Sequence, residues 1–149
     1  MFSLSKMLKV KIKKISDVKT PSYAHKGDSG MDLYAAENYL LKPMERKLIS
    51  TGIKIAVPYG YEAQIRPKSG LAIEHGIGHV NSIGTIDSGY RGEIKVPMIN
   101  FSDTPYSIEK GKKIGQIVFI KVEEALLEEV EELDVTSRNE KGFGSTGMD

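Results

Sequence analysis

The chain has 149 residues, a formal net charge of +1 and no cysteine. That length suits one domain with a core of its own, and the missing cysteines exclude a disulfide framework, a thiolate zinc site and a cysteine nucleophile. The near-neutral balance supplies no strong field toward nucleic acid, and no apolar run is long enough to span a bilayer.

The N-terminus, Met-Phe-Ser-Leu-Ser-Lys, lacks the apolar block of a signal peptide. A cytoplasmic protein is expected, or one inside a host cell if the source is viral or phage. Met7 is a second candidate start, so residues 1–7 read as a dispensable leader. Leu8, Val10 and Ile12 then alternate with Lys9, Lys11 and Lys13, the period of a half-buried strand. Ala24 to Leu33 carries Gly27, Asp28, Ser29, Gly30 and Asp32. It reads as a turn in which Asp32 can cap, meet a metal through water, or pair with a cation. Strand alternation returns at Ile53, Ile55 and Val57 and at Ala63 and Ile65.

Arg66-Pro67-Lys68-Ser69-Gly70-Leu71-Ala72 follows. Two cations, a hydroxyl and a glycine at a strand end can hold an anion, and Ser69 can equally be an N-cap. A short helix is expected near Leu71–His75. Asn81 offers a donor and an acceptor to a polar ring edge, or serves a turn. Gly84-Thr85-Ile86-Asp87-Ser88-Gly89-Tyr90-Arg91-Gly92 reads as a hairpin that gathers a carboxylate and a ring. Asp87 there is the one strong candidate for a base that activates water. Ile94, Val96 and Met98 resume the alternation, and Ile114 to Val122 is a more continuous apolar run, expected as a strand buried on both faces. Gly111-Lys112-Lys113-Ile114-Gly115-Gln116 feeds that strand, with Gln116 turned to a pocket or to solvent.

Residues 123–134 carry seven acids and no bases, while the first 26 residues carry seven lysines and one aspartate. Both runs read as solvated faces. Apolar residues at 126, 127, 130 and 133 suit a helix face. The polar, glycine-rich tail from Ser137 to Asp149 holds Phe143 as its one aromatic and is expected to be mobile without ligand. Its glycines and hydroxyls suit phosphate oxygens, but it is not a P-loop, since no helix can follow. His25, His75 and His79 lie in no recognisable nucleophile context. Short strands with regular turns predict a sandwich or barrel. Recurrent cations, hydroxyls and glycines suggest a polyphosphate ligand, and Asn81, Tyr90 and Phe143 suggest a flat heterocycle and a sugar.

In order and spacing, these five glycine-bearing segments resemble those of the trimeric deoxyuridine triphosphatases (dUTPases), over residues ~8–147. The resemblance implies an all-β, distorted jelly roll, the dUTPase-like β-clip, with little helix. It implies a homotrimer with a C-terminal segment exchanged between subunits and active sites shared among them, a β domain over 8–136, and a tail over 137–149 that closes on the site. That exchange argues against a helix at 123–133. The implied reaction is dUTP plus water giving dUMP and pyrophosphate with Mg²⁺, that of a dUTP diphosphatase, which keeps uracil out of DNA and supplies dUMP for thymidylate. Asp87 matches the water-activating carboxylate, and Tyr90 the ring beneath the deoxyribose. Asn81 and the backbone of Gly84, Thr85 and Ile86 match the uracil reader. Arg66, Lys68, Ser69, Gly70 and Gln116 match the phosphate side, and Asp32 a position linked to the metal through water. Arg138, Ser145 and Thr146 match tail groups that close on the γ-phosphate, and Phe143 the ring that stacks on uracil. No nucleic-acid or membrane partner is implied.

The chain departs from the family pattern at Lys68 and Lys113, where arginine is usual, at Gly115, where alanine is common, and at Asn139 and Lys141, where glycines are usual. Lysine keeps the charge but loses the bidentate fork. Two alternatives stand beside the pyrophosphatase. A dCTP deaminase on a similar fold would need an acid on the strand Val96-Pro97-Met98-Ile99-Asn100, which has none, and an arginine-bearing helix unmatched in Ala72-Ile73-Glu74-His75. A non-catalytic nucleotide-binding regulator would not need Asp87 and the tail intact.

Overall fold

In the computed structural model, which describes residues 6–147, the alternating segments become strands of two facing sheets. Of the expected leader, residues 1–5 lie outside the described residues. One sheet has the order β1-β4-β8-β6, from β1 (Lys11–Lys14), β4 (Arg46–Ala56), β8 (Glu93–Asn100) and β6 (Ile77–His79). The other has the order β2-β10-β5-β7, from β2 (Met31–Tyr34), β10 (Lys113–Lys121), β5 (Tyr61–Arg66) and β7 (Gly84–Ile86). A two-stranded ladder joins β3 (Tyr39–Leu41) to β9 (Tyr106–Ile108). Every pairing is antiparallel, so the architecture is the expected all-β jelly roll.

The period of two explains the core. Ile49, Ile53 and Ile55 of β4 and Ile94, Val96 and Met98 of β8 are buried, and they share one cluster with Leu33, Ile65, Ile114 and Ile117 of the other sheet. Burying these side chains is the main favourable term, at roughly 25 cal/mol per Å² of apolar surface. The few polar groups inside are satisfied. Thr51 donates to Ile94 O, and Asn100 Nδ2 donates to Leu41 O at 3.0 Å and Thr104 O at 2.8 Å. A bulge in β4 between Ser50 and Lys54 holds Gly52 at φ 71°, a conformation most side chains disfavour.

The one helix among the described residues is α1 (Ser69–His75), where a short helix was expected. It stops at Gly76, left-handed at φ 66°, whose N–H donates to Ala72 O. The cap reading of Ser69 does not hold. Lys68 occupies the cap position with no side-chain capping bond, and Ser69 is the first helical residue, exposed.

Two local expectations change. Residues 84–92 are not a hairpin: β7 pairs with β5 and β8 with β4 and β6, so this stretch crosses between sheets. It turns on a bond from Tyr90 N–H to Asp87 O at 3.1 Å. The physical reason is that Ile86 lies opposite Ala63 in one sheet while Ile94 is buried in the other. The apolar spacing at 126–133 does not give a helix. That stretch is exposed and irregular, with Leu126, Leu127 and Leu133 almost fully open. Glu124, Glu128 and Glu132 would repel one another at i, i+4 on a helix, and a helix that short needs packing which its own chain does not provide.

Candidate active site

β2, β5 and β10 bring one cluster together. Asp32 on β2 lies across the ladder from Gln116 on β10, which in turn faces Arg66 at the end of β5. Paired residues share a face, so Asp32 and Gln116 point the same way. Lys68 Nζ lies 2.5 Å from Asp32 Oδ1, and Lys113 Nζ lies 3.0 Å from Oδ2. Gln116 Nε2 donates to Pro67 O at 3.1 Å, which fastens the turn before Lys68. Arg66 turns instead to Gln64, donating from Nη2 to its Oε1 at 2.8 Å.

Asp32 has only 11 % of its side chain exposed. Burial alone would lift its carboxyl, but hydrogen bonds and charge from Lys68 and Lys113 outweigh that and hold it below the usual carboxylate range. Lys113 is correspondingly raised by its bond to Asp32. Of the roles left open for Asp32, pairing with cations is therefore the one seen. The two lysines that stand where arginine is usual both serve this one carboxylate. Ser69 and Gly70 are exposed just beyond Lys68.

A second group forms at the opposite end of β5. Ile86 lies opposite Ala63, which carries Asp87 beside Glu62. Asp87 and Ser88 line an open cleft of about 400 Å³ with Tyr59, Tyr61, Glu62 and Glu124. Tyr59 donates its hydroxyl to Glu124. Tyr90 OH donates to Glu93 O at 2.9 Å, and its ring covers Gly92, where a β-carbon would fall 2.5 Å from Cζ. Arg91 Nη1 donates to Ser88 O at 2.6 Å and braces the turn. Gly84 is buried, and a β-carbon there would sit 3.5 Å from Asn81 Nδ2. Because β7 is an edge strand, Gly84, Thr85 and Ile86 have one row of backbone donors and acceptors free of the sheet.

Asp87 and the lysine cluster do not meet within one chain, whereas Gly84, opposite Ile65, and Asn81 beside it lie toward the Arg66 end. Asp87 is beside Glu62 and the lysine cluster is beside Arg66, four positions apart along β5, roughly 13 Å at the rise of a strand. Nor does the tail close on either. Arg138 Nε bonds Lys141 O at 2.8 Å, Gly147 N bonds Gly144 O at 3.0 Å, and Arg138, Phe143, Ser145 and Thr146 are exposed.

Two residues escape the sequence-derived set of sites. Lys113 was marked there only by its departure from arginine. Gly92 gives no signal beyond being a glycine near a ring. Among the described residues no three His, Asp or Glu side chains converge to hold a metal.

The comparisons with known proteins show the family and the fold. The dUTPase family model matches residues 16–147. A deoxyuridine 5'-triphosphate nucleotidohydrolase of Clostridium kluyveri is 59 % identical over 127 residues, covering 85 % of this chain and 89 % of that protein. One of Finegoldia magna is 53 % identical over 142 residues, covering 94 % and 99 %. Among solved structures, the Staphylococcus bacteriophage 80alpha dUTPase with dUPNHPP superposes with a TM-score of 0.87 at 29 % identity, over 93 % of this chain and 98 % of that one. A phage phi11 dUTPase with a structural Mg(II) ion has the same fold, at TM-score 0.79 and 23 % identity over 85 % and 99 %. A family model spanning nearly the whole chain, over strands that carry an acid at one end of β5 and a caged carboxylate at the other, leaves one assignment: the chain belongs to the dUTPase family.

Proposed function

We propose that this chain hydrolyses dUTP to dUMP and pyrophosphate, with Asp87 accepting the proton of the water that attacks the α-phosphorus. The observation that carries this reading is the division of site groups along β5. Asp87 lies in an open cleft at the Glu62 end of β5, the free edge of β7 runs from there back to Gly84 and Asn81 at the Ile65 end, and Tyr90 stands on the turn that follows Asp87. Lys68 and Lys113 pair with Asp32 opposite Gln116, with Ser69 exposed just beyond Lys68, a phosphate-sized group.

Each group has its chemistry. The exposed Asp87 carboxylate can orient water as well as deprotonate it. Attack in line with the leaving pyrophosphate depends mainly on position. Lys68 and Gln116 supply donors where charge develops. The unpaired edge of β7 and the Asn81 amide can match uracil. Cytosine reverses the donor at its 4-position and leaves buried polar groups unpaired. The Tyr90 ring, fixed by its bond to Glu93 O, packs against deoxyribose and leaves no room for a 2′-hydroxyl. Phe143 closes over uracil while Arg138, Ser145 and Thr146 close on the γ-phosphate.

Mg²⁺ fits as a cation that arrives with the triphosphate. Magnesium takes oxygen ligands and keeps several waters. The described residues offer no protein cage, and Asp32, with both oxygens engaged by ammonium groups, reaches it through water. When bound it offsets triphosphate charge.

The roughly 13 Å separation along β5 supports active sites built from more than one copy, in a homotrimer. The C-terminal arm supports the same reading. Leu126, Leu127, Val130, Leu133 and Val135 are exposed among seven acids. β1 is an exposed edge strand bearing Lys11, Lys13 and Lys14, beside an apolar groove of about 150 Å³ lined by Val10, Ile12, Met31 and Phe119. An acidic, apolar arm from a neighbouring copy complements that edge in charge and hydropathy.

The test is pyrophosphate release from dUTP, dTTP, dCTP and UTP with Mg²⁺. Rapid cleavage confined to dUTP is expected. Ammonia release from dCTP, or no cleavage of dUTP, overturns the reading.

A further inference from the structure

We propose that His79 is a positioning residue for the phosphate side of the site, acting through a bulge in β10 that its imidazole holds in place. The inference rests on the reading that Lys68 and Gln116 face the triphosphate, and it adds Lys113 to that group.

The bulge is explicit in the register. Lys113 pairs with Tyr34 on β2, but the next partner, Leu33, falls to Gly115, so Ile114 is the extra residue. Its consequence is a change of face. In a regular strand residues three apart point to opposite sides. Here Ile114 and Gly115 are both buried, and Lys113 and Gln116 on either side are the more exposed. The inserted residue thus turns Lys113 and Gln116 the same way, toward Asp32 and Lys68. Lys113 Nζ reaches Asp32 Oδ2 at 3.0 Å, and Gln116 lies opposite Asp32 and bonds Pro67 O. Without the bulge only one of the two could join the cluster.

A bulge disrupts its ladder locally and needs support. His79 supplies it from the other sheet. It stands on β6, is 6 % exposed, and its Nε2 lies 2.8 Å from the carbonyl oxygen of Ile114. A carbonyl only accepts, so Nε2 carries the proton and donates. Burial pushes the ring's pKa below its ordinary value, against a smaller opposing pull from the Ile114 carbonyl. The ring also occupies space that only glycine leaves open at 115. A β-carbon there would fall 2.9 Å from His79 Cε1 and 3.3 Å from Arg66 O. His79 and Gly115 are therefore matched: the imidazole both bonds the bulged residue and fills the gap beside it.

The experiment compares wild type, His79→Leu, His79→Gln and Gly115→Ala, with folding checked by circular dichroism. Four quantities are read: KM and kcat for dUTP with Mg²⁺, and Kd for inorganic pyrophosphate and for deoxyuridine. His79→Leu keeps bulk but loses the donor. It is expected to raise KM for dUTP and Kd for pyrophosphate by about tenfold, while deoxyuridine binding stays within about twofold and kcat within about threefold. His79→Gln, which retains an N–H, restores most of the loss. Gly115→Ala moves the same quantities, and a His79→Ser/Gly115→Ala double variant, which vacates the ring's space, recovers part of the packing but not the bond. Should His79→Leu fail to fold, the Gly115→Ala values decide. Unchanged pyrophosphate affinity in the folded variants overturns the proposal, as does an equal loss for pyrophosphate and deoxyuridine, which would mark general loosening. The pyrophosphate measurement needs no turnover, so a wild type that binds pyrophosphate but leaves dUTP intact would sink the proposed reaction and leave this inference standing.

Discussion

The ring of Tyr90 lies over Gly92, at a position where any β-carbon would meet its Cζ at 2.5 Å. If Tyr90 packs against the sugar as proposed, the glycine supports that side of the site without touching a ligand. Gly92→Ala is expected to push the ring aside with little loss of stability, because the clash falls on the far end of an exposed side chain. The expected readout is a fall of about tenfold or more in kcat/KM for dUTP with a smaller fall for UTP, because the displaced ring no longer excludes a 2′-hydroxyl. An unchanged dUTP/UTP ratio would remove Tyr90 from sugar discrimination.

Asp87→Asn keeps the shape of the side chain and removes its basicity. Turnover of dUTP should drop by about 10²- to 10⁴-fold, the usual contribution of a positioned base. Binding of a non-hydrolysable dUTP analogue, followed by calorimetry, should stay within about threefold. Near-normal turnover in this variant would show that the water is activated elsewhere.

Two truncations separate the arm from the tail. Ending the chain after Thr136 removes Arg138, Phe143, Ser145 and Thr146, all exposed and bonded only locally. Strongly impaired turnover with an unchanged trimeric mass by light scattering is expected. Ending it after Lys121 also removes the arm with its exposed Leu126, Leu127, Val130, Leu133 and Val135. That product should be monomeric, since an acidic arm and a lysine-bearing β1 edge can no longer meet. A trimer lacking the arm would assign assembly to another surface.

The buried His79 predicts a pH dependence of stability. Burial holds its pKa below 6.5, with the Ile114 carbonyl opposing in part. In the unfolded chain the imidazole takes a proton near pH 6.5, whereas in the folded chain it does so only at lower pH. On the acid side the unfolded state binds more protons, so stability rises with pH across that window. The contribution is fully present above about pH 6.5 and is lost as pH falls toward the folded value. No ion pair involves His79 among the described residues. Thermal melts from about pH 7.5 to pH 5 should show a falling midpoint in wild type and a flatter profile in His79→Leu. Parallel slopes would mean that other groups govern the acid limb.

Much of this protein could be read along the chain. Alternation at Ile53, Ile55, Ala63, Ile65, Ile94, Val96 and Met98 marks strands because a half-buried strand must repeat every two residues, and all seven are buried. The segments around Asp32, Lys68, Asp87 and Gln116 stood out for a related reason, glycines, hydroxyls and charges grouped within a few residues, although Asp32 and Gln116 lie on strands and not in loops. What periodicity could not supply was partnership. The 126–133 spacing suits a helix, but like charges four apart and the lack of any surface in its own chain leave it extended. Gly84–Gly92 has the composition of a hairpin, yet its flanking strands belong to different sheets.

The sequence by itself determined the strand alternation and the family, because local patterning and residue chemistry are properties of short segments. Only the tertiary structure decided that Asp32 is held between Lys68 and Lys113, that a bulge at Ile114 aims Lys113 and Gln116 the same way, and that His79 from the opposite sheet meets that bulge. These are contacts between residues about 35 positions or more apart, or shifts of register by a single residue, and both depend on how the sheets pair.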